Sequence, residues 1–310
     1  MKYYLNILLF CSLTTIYFLL STSVSAQQLS LSLTPTLSEL AIKPGQSVGI
    51  KYKLINFGDP SIVKMRILPF EAKDNRGGIT VKNSFEGPIG FELENRDIKL
   101  EEAFFLKNST SLDLLLNIRV PDETPGKDYY YSLVAESQPP PTQEGAVNVR
   151  TKVMVGSNLL ITVSKDGRVE IKPKISLFEV VPKNKIGFLG YKINLFNSFE
   201  KIPLILVVEN KGKNLIKPRG EIVVTGLFGQ VKKVEIKSQN ILSQSQRLFS
   251  AEFPGYLIGS YKVSTAISFG RGTPVLYASS SFLVFPLKLI ILLIAVFFLG
   301  IFFVSRYKSK

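Results

Sequence analysis

Two pairs of glutamates come closest to a catalytic arrangement in this sequence. Glu92 and Glu94 are two positions apart and would share one face of a strand, and Glu101 and Glu102 follow soon after. Carboxylate pairs of this kind can act as the general acid and general base of a hydrolytic reaction. A solvated strand edge explains the four side chains at least as well. We therefore expect no catalytic residues and a protein that is not an enzyme.

The composition excludes several other kinds of site. The chain has no His and no Trp, and its one Cys is at position 11. Zinc centres, haem ligation by His, serine triads and cysteine–histidine pairs are therefore excluded. The run Asp74 to Gly78 has some features of a calcium loop, but it lacks the alternating acids and the terminal Glu of such a loop. A plain turn accounts for the run, and we expect no metal and no cofactor.

The chain is basic enough to suggest an anionic partner. It has 38 Lys and Arg against 24 Asp and Glu, a formal net charge of +14. Three pairs of basic residues alternate with apolar residues on predicted strands, so their side chains would project away from the core. Gathered on one sheet, they would bind an anionic wall polymer, whereas scattered they would keep the strands soluble and protect their edges. The candidate polyanion-binding residues are Lys51, Lys53, Lys64, Arg66, Arg150 and Lys152.

One proline-rich segment could be a contact surface. Pro139, Pro140 and Pro141 lie between two predicted strands, and prolines stiffen a loop at the tip of a sheet. Any long exposed hairpin connection would have the same composition, so both interpretations stay open. No aromatic residues interleave with the basic ones as in a single-strand nucleic-acid binder, and we expect no nucleic-acid partner.

The N-terminus has the pattern of a secretory signal over residues 1–26. Lys2 supplies a basic start, Leu5 to Leu20 is apolar, and Val24 to Ala26 ends in small residues suited to cleavage. Cleavage after Ala26 would remove Cys11, the only thiol. The pattern predicts an exported protein.

The C-terminus predicts a membrane anchor. Residues 282–304 carry one charge, Lys288, and would span about 34 Å as a helix. The basic residues of the tail 305–310 then form a stop-transfer flank, with Lys288 near the outer edge. We expect a single-pass protein of the cell membrane with its ectodomain outside. The flanking residues are Lys288, Arg306, Lys308 and Lys310.

Between these ends, apolar residues recur with period two. Val48 to Leu54, Leu112 to Val120 and Tyr261 to Phe269 are clear cases, and turns such as Pro44-Gly45 and Pro125-Gly126 separate such runs. Many short strands with glycine and proline turns are typical of β-sandwiches. The sequence predicts an all-β protein with two tandem immunoglobulin-like β-sandwiches.

The boundary between the two sandwiches is predicted from strand register. A three-residue loop at Lys165 to Gly167, with Gly167 left-handed, would pair Val163 with Val169 in a hairpin. The same segment could equally be a linker to the second sandwich. We place the domains at 27–165 and 166–281, with the boundary within 164–173.

Several segments together carry a resemblance to a known family. They are Thr34-Pro35, Leu40 to Val48 (LAIKPGQSV), Ile118 to Leu133 (IRVPDETPGKDYYYSL), Val155 to Val163 (VGSNLLITV), Val208 to Ile222 (VENKGKNLIKPRGEI) and Gly259 to Lys262 (GSYK). In their order along the chain they resemble the WxL-interacting proteins of bacterial surfaces. The resemblance implies a first domain that binds peptidoglycan, a second immunoglobulin-like domain that engages a surface or host protein, and a C-terminal membrane helix.

These features predict a membrane-anchored surface protein for binding or adhesion. Its partners would be peptidoglycan or an anionic wall glycopolymer, and another surface protein. The alternative is a membrane-tethered chaperone or scaffold for secreted subunits that acts by β-strand addition. That function would require a basic anchor for the carboxylate of its client, in a cleft between the two sandwiches.

Overall fold

A computed structural model describes residues 29–138, 152–182, 184–188, 191–227, 229–270 and 273–308. These residues form nineteen strands and one helix, so the predicted all-β class is confirmed. The predicted secretory signal, Pro139 to Pro141, Arg150 and Lys310 lie outside the described residues.

The N-terminal half contains ten strands in two sheets. Sheet 1 has the order β1-β3-β8-β6, and sheet 2 has the order β2-β10-β9-β4-β5 with β7 also paired to β4. Strand β2 runs parallel to β10, and the other pairs in this half are antiparallel. The strands are β1 (Leu31–Thr34), β2 (Leu37–Ile42), β3 (Ser47–Asn56), β4 (Ser61–Ala72), β5 (Ile79–Val81), β6 (Gly90–Leu93), β7 (Ala103–Leu106), β8 (Ser111–Arg119), β9 (Asp128–Gln138) and β10 (Met154–Val163).

The C-terminal half also has two sheets. Sheet 3 has the order β11-β14-β17, and sheet 4 has the order β12-β13-β19-β18-β15-β16. The single helix, α1 (Leu287–Lys308), follows the last strand. The strands are β11 (Pro173–Val180), β12 (Asn184–Phe188), β13 (Tyr191–Asn197), β14 (Ile202–Asn210), β15 (Arg219–Gly226), β16 (Val231–Glu235), β17 (Ser245–Phe253), β18 (Gly259–Ser268) and β19 (Leu276–Phe285).

Each half has its own hydrophobic core, and the period-two pattern explains both. In the N-terminal half, alternate residues of β8 such as Leu114 and Leu116 are buried with Leu133 of β9, so sheets 1 and 2 share one core. In the C-terminal half, Leu204 of β14 and Val263 of β18 belong to a second core shared by sheets 3 and 4. Burial of alternate side chains is what the apolar periodicity predicts for strands with one inner face.

The segment between Ser164 and Pro173 links the two halves. Gly167 has φ +76°, the left-handed conformation predicted for it, and the Asp166 carboxylate accepts the backbone N–H of Arg168. No described ladder pairs Val163 with Val169, and β11 begins at Pro173. The domain boundary within 164–173 and the independence of the two halves stay predictions.

The apolar C-terminal run does not form the predicted membrane anchor. Its first four residues, Phe282 to Phe285, are strand and belong to β19, where Phe282 and Val284 are buried in the second core. Within the described part of the chain, no helix has both the length and the apolarity that crossing a bilayer requires. The predicted transmembrane helix over 282–304, the single-pass topology and the cell-membrane localisation are therefore wrong.

The residues predicted to flank that anchor have other surroundings. Lys288 lies in the first turn of α1 and donates its backbone N–H to the side-chain oxygen of Asn197. The Arg306 guanidinium lies 5.5 Å from the centre of the Phe302 ring, and Lys308 is the last residue of α1.

The two-sheet core of the N-terminal half gives a direct stability prediction. Replacing Leu114, which is fully buried on β8, by Ala should lower the free energy of unfolding by about 2–5 kcal/mol, because it leaves a cavity. The matched substitution Leu227→Ala, at an exposed position, should change the free energy of unfolding by less than about 0.5 kcal/mol. Denaturant unfolding of both variants measures this, and equal losses would contradict the assigned core.

Candidate functional site

A cleft between the two halves is the candidate site. It encloses a cavity of about 510 Å³. The N-terminal half supplies one wall from the outer face of β2 and β10, including Leu37, Glu39 and Leu160. The C-terminal half supplies the other wall, which carries Lys217, Arg219 and Arg247. One wall is therefore a sheet face, and the other is basic.

Strand alternation explains why β10 can serve the core and the cleft together. Leu159 and Ile161 point inward and belong to the first core. The intervening residues Asn158 and Leu160 point outward and line the cleft. Leu160 is nevertheless buried, because the opposite half covers it.

The halves are held together at Asp128, the first residue of β9. Its carboxylate is 6% exposed and accepts hydrogen bonds from the Asn214 side-chain amide at 2.7 Å and the Leu215 backbone N–H at 2.5 Å. Its own backbone N–H donates to the Lys213 carbonyl at 3.1 Å. A buried carboxylate is stable only when its oxygens are paired in this way. We call this set of contacts the Asp128 lock.

Tyr130 extends the Asp128 lock. Its hydroxyl donates to Asp128 at 3.2 Å and accepts the backbone N–H of Ser243 at 2.9 Å. Burial, together with the charge of Asp128, raises the pKa of Tyr130 far above its ordinary value. The hydroxyl therefore keeps its proton and remains a donor to Asp128.

Glu39 of β2 bridges the halves at the cleft itself. It accepts hydrogen bonds from the Lys217 ammonium at 2.5 Å and from the Asn240 side-chain amide at 2.7 Å. Burial alone would raise the pKa of Glu39, but these two hydrogen bonds and the Lys217 charge outweigh it and hold the pKa below its usual range. Glu39 is thus ionised and neutralises Lys217.

Two arginines in the cleft form no direct ion pair with a carboxylate of the described residues. Among the described residues, no carboxylate lies within 4.0 Å of the guanidinium of Arg219 or Arg247. Arg247 donates from Nη1 to the Asn240 carbonyl at 2.8 Å, while its buried Nε has no hydrogen-bond partner. Burial lowers the pKa of Arg247 and the charge of Asp74 partly offsets this, yet a guanidinium stays charged in proteins. The cleft can therefore accept an anion, and the planar fork of arginine suits a carboxylate.

An open sheet edge lies next to the cleft. Strand β2 pairs with β10 from Asn158 to Val163, so within the described parts of the chain Met154 to Ser157 have a ladder partner on one side alone, β9. The Asn158 backbone N–H donates to Thr36 on the β2 side, whereas the Val153 carbonyl accepts from Ser137 on the β9 side. By alternation, the backbone N–H and C=O of Met154 and Gly156 face the open edge.

The predicted basic face is divided between two sheets. Lys51 and Lys53 are exposed on β3 of sheet 1, whereas Lys64 and Arg66 lie on β4 of sheet 2, and Lys152 precedes β10. Of the five described candidates, Lys64, Arg66 and Lys152 lie close together around Glu101 and Glu136, whereas Lys51 and Lys53 lie on the other sheet. Arg150 lies outside the described residues.

Glutamates pair with the basic residues of sheet 2. Glu101 contacts Lys64 at 2.8 Å and Arg66 at 3.1 Å, and Glu136 contacts Arg66 and Lys152. Much of the positive charge on this sheet is thus compensated locally, as on an ordinary protein surface.

The remaining carboxylates from the sequence have structural contacts. Glu94 accepts a hydrogen bond from Asn117 at 3.0 Å, and Glu92 is exposed on β6. Asp74 forms a plain turn, since its carboxylate accepts the backbone N–H groups of Gly78 and Arg76, which lower its pKa. Among the described residues, no group of three or more Cys, Asp or Glu side chains is placed to hold a metal ion.

The sequence did not identify the cleft residues. Lys217 and Arg219 flank Pro218 in a segment without a binding motif, and Arg247 lies in a polar stretch without one. Their shared position arises from contacts between strands far apart in the chain, such as Glu39 with Asn240. No local signal could have revealed it.

Comparison with known proteins gives only distant likenesses. No family model matches the chain, and no curated protein sequence matches it. Among solved structures, the chain is similar to the class 5 fimbriae chaperone CfaA, with 11% identity over 83% of this chain and 100% of that chain and a TM-score of 0.38. It is similar to the E. coli chaperone DraB, with 17% identity over 81% and 98% of the two chains and a TM-score of 0.35. It is also similar to a complex of the Salmonella enterica pilin SafA with the chaperone SafB, with 12% identity over 83% and 99% and a TM-score of 0.37.

These findings overturn the resemblance to WxL-interacting proteins. No family model and no curated protein sequence matches the chain, so nothing supports that resemblance. The segments behind the resemblance are strand ends with short turns, such as the one at Gly45, which has φ +81° and donates its N–H to Val120. Turns of this kind recur in unrelated β-proteins. The binding of peptidoglycan, which that resemblance implied, and the binding of an anionic wall polymer are not supported either.

The Asp128 lock predicts a large stability effect. Asp128→Ala would leave the Asn214 amide and the Leu215 N–H without partners in a buried position, which should cost at least about 2 kcal/mol of unfolding free energy. The control Asp113→Ala, at an exposed position of β8, should change the free energy of unfolding by less than about 0.5 kcal/mol. Denaturant unfolding distinguishes them, and a loss for Asp128→Ala no larger than the control's would show that the halves are held by other contacts.

Glu39 predicts an acid-sensitive contribution to stability. Because its pKa is lower in the folded state than in the unfolded state, its contribution is present above the unfolded value of about 4.3. It is lost as the pH falls through the lower folded value. Glu39→Gln should therefore reduce the loss of stability between about pH 5 and pH 3, measured as denaturation midpoints across that range. An unchanged acid profile would contradict the ionic contact with Lys217.

Proposed function

We propose that this protein is a chaperone or scaffold that holds an extended segment of another exported protein by β-strand addition. The observation that carries the proposal is the edge of β10 at Met154 to Ser157, which is open among the described residues, next to a cleft with two arginines that no described carboxylate contacts directly. Strand addition uses the backbone of an unpaired edge as its template. The secretory pattern of residues 1–26, which stays a prediction, is the reason for choosing an exported client.

The direction of the bound segment follows from the position of the cleft. Asn158 and Leu160 line the cleft and come after Met154 and Gly156 along β10. A segment whose C-terminus enters the cleft therefore runs parallel to β10, as β2 does. Its pairing with β10 would end by Ser157, because β2 occupies the edge from Asn158 onward.

The side chains at this edge suit a partly apolar client. Met154 is 53% exposed and Leu37, at the start of β2, is 46% exposed, so the edge is flanked by apolar surface. A bound segment with apolar residues at alternate positions would cover this surface, which favours association. Natural proteins usually protect such an edge, and an unprotected one indicates a binding function.

Arg219 and Arg247 would then bind the terminal carboxylate of the client. A carboxylate can accept hydrogen bonds from both guanidinium groups, and such charge-assisted bonds contribute about 1.5–3 kcal/mol each. Lys217 contributes less, because Glu39 already neutralises it. The cleft would thus favour clients with a free C-terminal carboxylate, whereas pairing at the strand edge uses the backbone and would accept many client sequences.

A peptide pair tests this function. The probe is an acetylated ten-residue peptide of alternating valine and serine, with either a free C-terminal carboxylate or an amide. We expect the carboxylate form to bind at least about tenfold more tightly, since one charge-assisted hydrogen bond corresponds to about that factor. Titration calorimetry with the full chain measures both affinities.

Substitutions test whether the preference for the carboxylate peptide arises in the cleft. Arg219→Gln and Arg247→Gln should each reduce the ratio of carboxylate to amide affinity, because each removes one charged donor from the cleft. The control Arg168→Gln, at an exposed position of the linker, should leave the ratio unchanged. Failure of both peptides to bind, or equal affinities for the two forms, would reject the proposed function.

A further inference from the structure

A turn of the N-terminal half contacts the arginine strand of the C-terminal half. The Asn75 carbonyl accepts the backbone N–H of Leu248 on β17 at 2.6 Å. Leu248 follows Arg247 directly, so the turn Asp74 to Gly78 lies against the backbone that carries this arginine. Gly77 and Gly78 of the same turn line the cleft.

Gly77 lies directly against the Arg247 guanidinium. A Cβ atom at Gly77 would stand 2.4 Å from Cζ and from Nη2 of Arg247, and 2.6 Å from Nη1. Real Cβ contacts are not found at such distances, so any side chain at this position must displace the guanidinium. The glycine also has φ +89°, but the decisive feature is the occupied space.

Each partner of this contact is fixed by hydrogen bonds within its own half of the protein. Asp74 Oδ1 accepts the N–H groups of Arg76 at 2.8 Å and Gly78 at 3.0 Å, which fixes the turn. Arg247 donates from Nη1 to the Asn240 carbonyl at 2.8 Å, which fixes the guanidinium. The position of the charged group in the cleft therefore depends on both halves.

We propose that Gly77 is a positioning residue for the client's carboxylate: its missing side chain lets the Arg247 guanidinium rest against the turn, with its charge held in the cleft. This inference rests on the proposed function, and it names a residue that acts through Arg247 without touching the client. A planar donor held in one orientation loses less entropy on binding a carboxylate than a free side chain does.

The test uses the same carboxylate and amide peptides with the Gly77→Ala variant of the full chain. We expect the ratio of carboxylate to amide affinity to fall about tenfold, to the value found for Arg247→Gln. Gly229→Ala is the matched control, because Gly229 has a similar φ of +73° but nothing within 4 Å of its Cβ position. The control carries the same backbone strain and should keep the wild-type ratio.

A double-mutant cycle separates positioning from general damage. If Gly77 acts through Arg247, then adding Gly77→Ala to Arg247→Gln should not lower the ratio further. Gly77→Asn provides a second variant should Gly77→Ala fold poorly, because Asn tolerates the left-handed conformation and still carries a Cβ.

The outcomes distinguish the two proposals. A wild-type chain that does not prefer the carboxylate peptide rejects the proposed function itself. A wild-type chain that prefers it, combined with Gly77→Ala and Gly77→Asn variants that keep the full preference, rejects only the role of Gly77. A fall in the ratio that is additive with Arg247→Gln also rejects it, since the two residues would then act independently.

Discussion

The buried carboxylate of Asp128 is the contact on which the arrangement of this molecule depends. It begins β9 in the N-terminal half, and two of its three donors, Asn214 and Leu215, belong to the C-terminal half. Losing one of these hydrogen bonds while the carboxylate stays buried costs several kcal/mol, so shifts of one half against the other are opposed at this point. The relative position of the two cores is therefore set by hydrogen-bond geometry, which is directional, and not by apolar contact alone.

The cleft follows from that fixed geometry. With the halves held at Asp128, Glu39 reaches Lys217 and Asn240, and the turn at Gly77 reaches Arg247. Glu39 pairs directly with Lys217, whereas no carboxylate in the described part of the chain contacts Arg219 or Arg247, which leaves a candidate anion site beside a strand edge. Neither half provides this site alone, because the sheet edge comes from one and the arginines from the other.

The sequence predicts the strands well and the site poorly, and the reason is physical. Period-two burial is a local property, so runs such as Leu112 to Val120 and Tyr261 to Phe269 identify strands correctly. The apolar run that begins at residue 282 gave a wrong prediction of a membrane helix. Its first residues belong to strand β19 and pack in the second core, and the helix begins only after them. The cleft depends on contacts such as Asp128 with Leu215, 87 positions apart, and no pattern in the sequence encodes them. The resemblance to WxL-interacting proteins was wrong for the same reason. Local turn motifs reflect the geometry of the backbone and not the arrangement of the two halves.

Amide hydrogen exchange at the edge of β10 tests the central claim most directly. The backbone N–H groups of Met154 and Gly156 face the open edge, whereas that of Asn158 is already bonded to Thr36. Addition of the carboxylate peptide at saturating concentration should slow exchange at Met154 and Gly156 by at least about tenfold and leave Asn158 little changed. Unchanged exchange at both edge positions under saturation would show that the client is bound elsewhere, and the account of strand addition at this edge would be wrong.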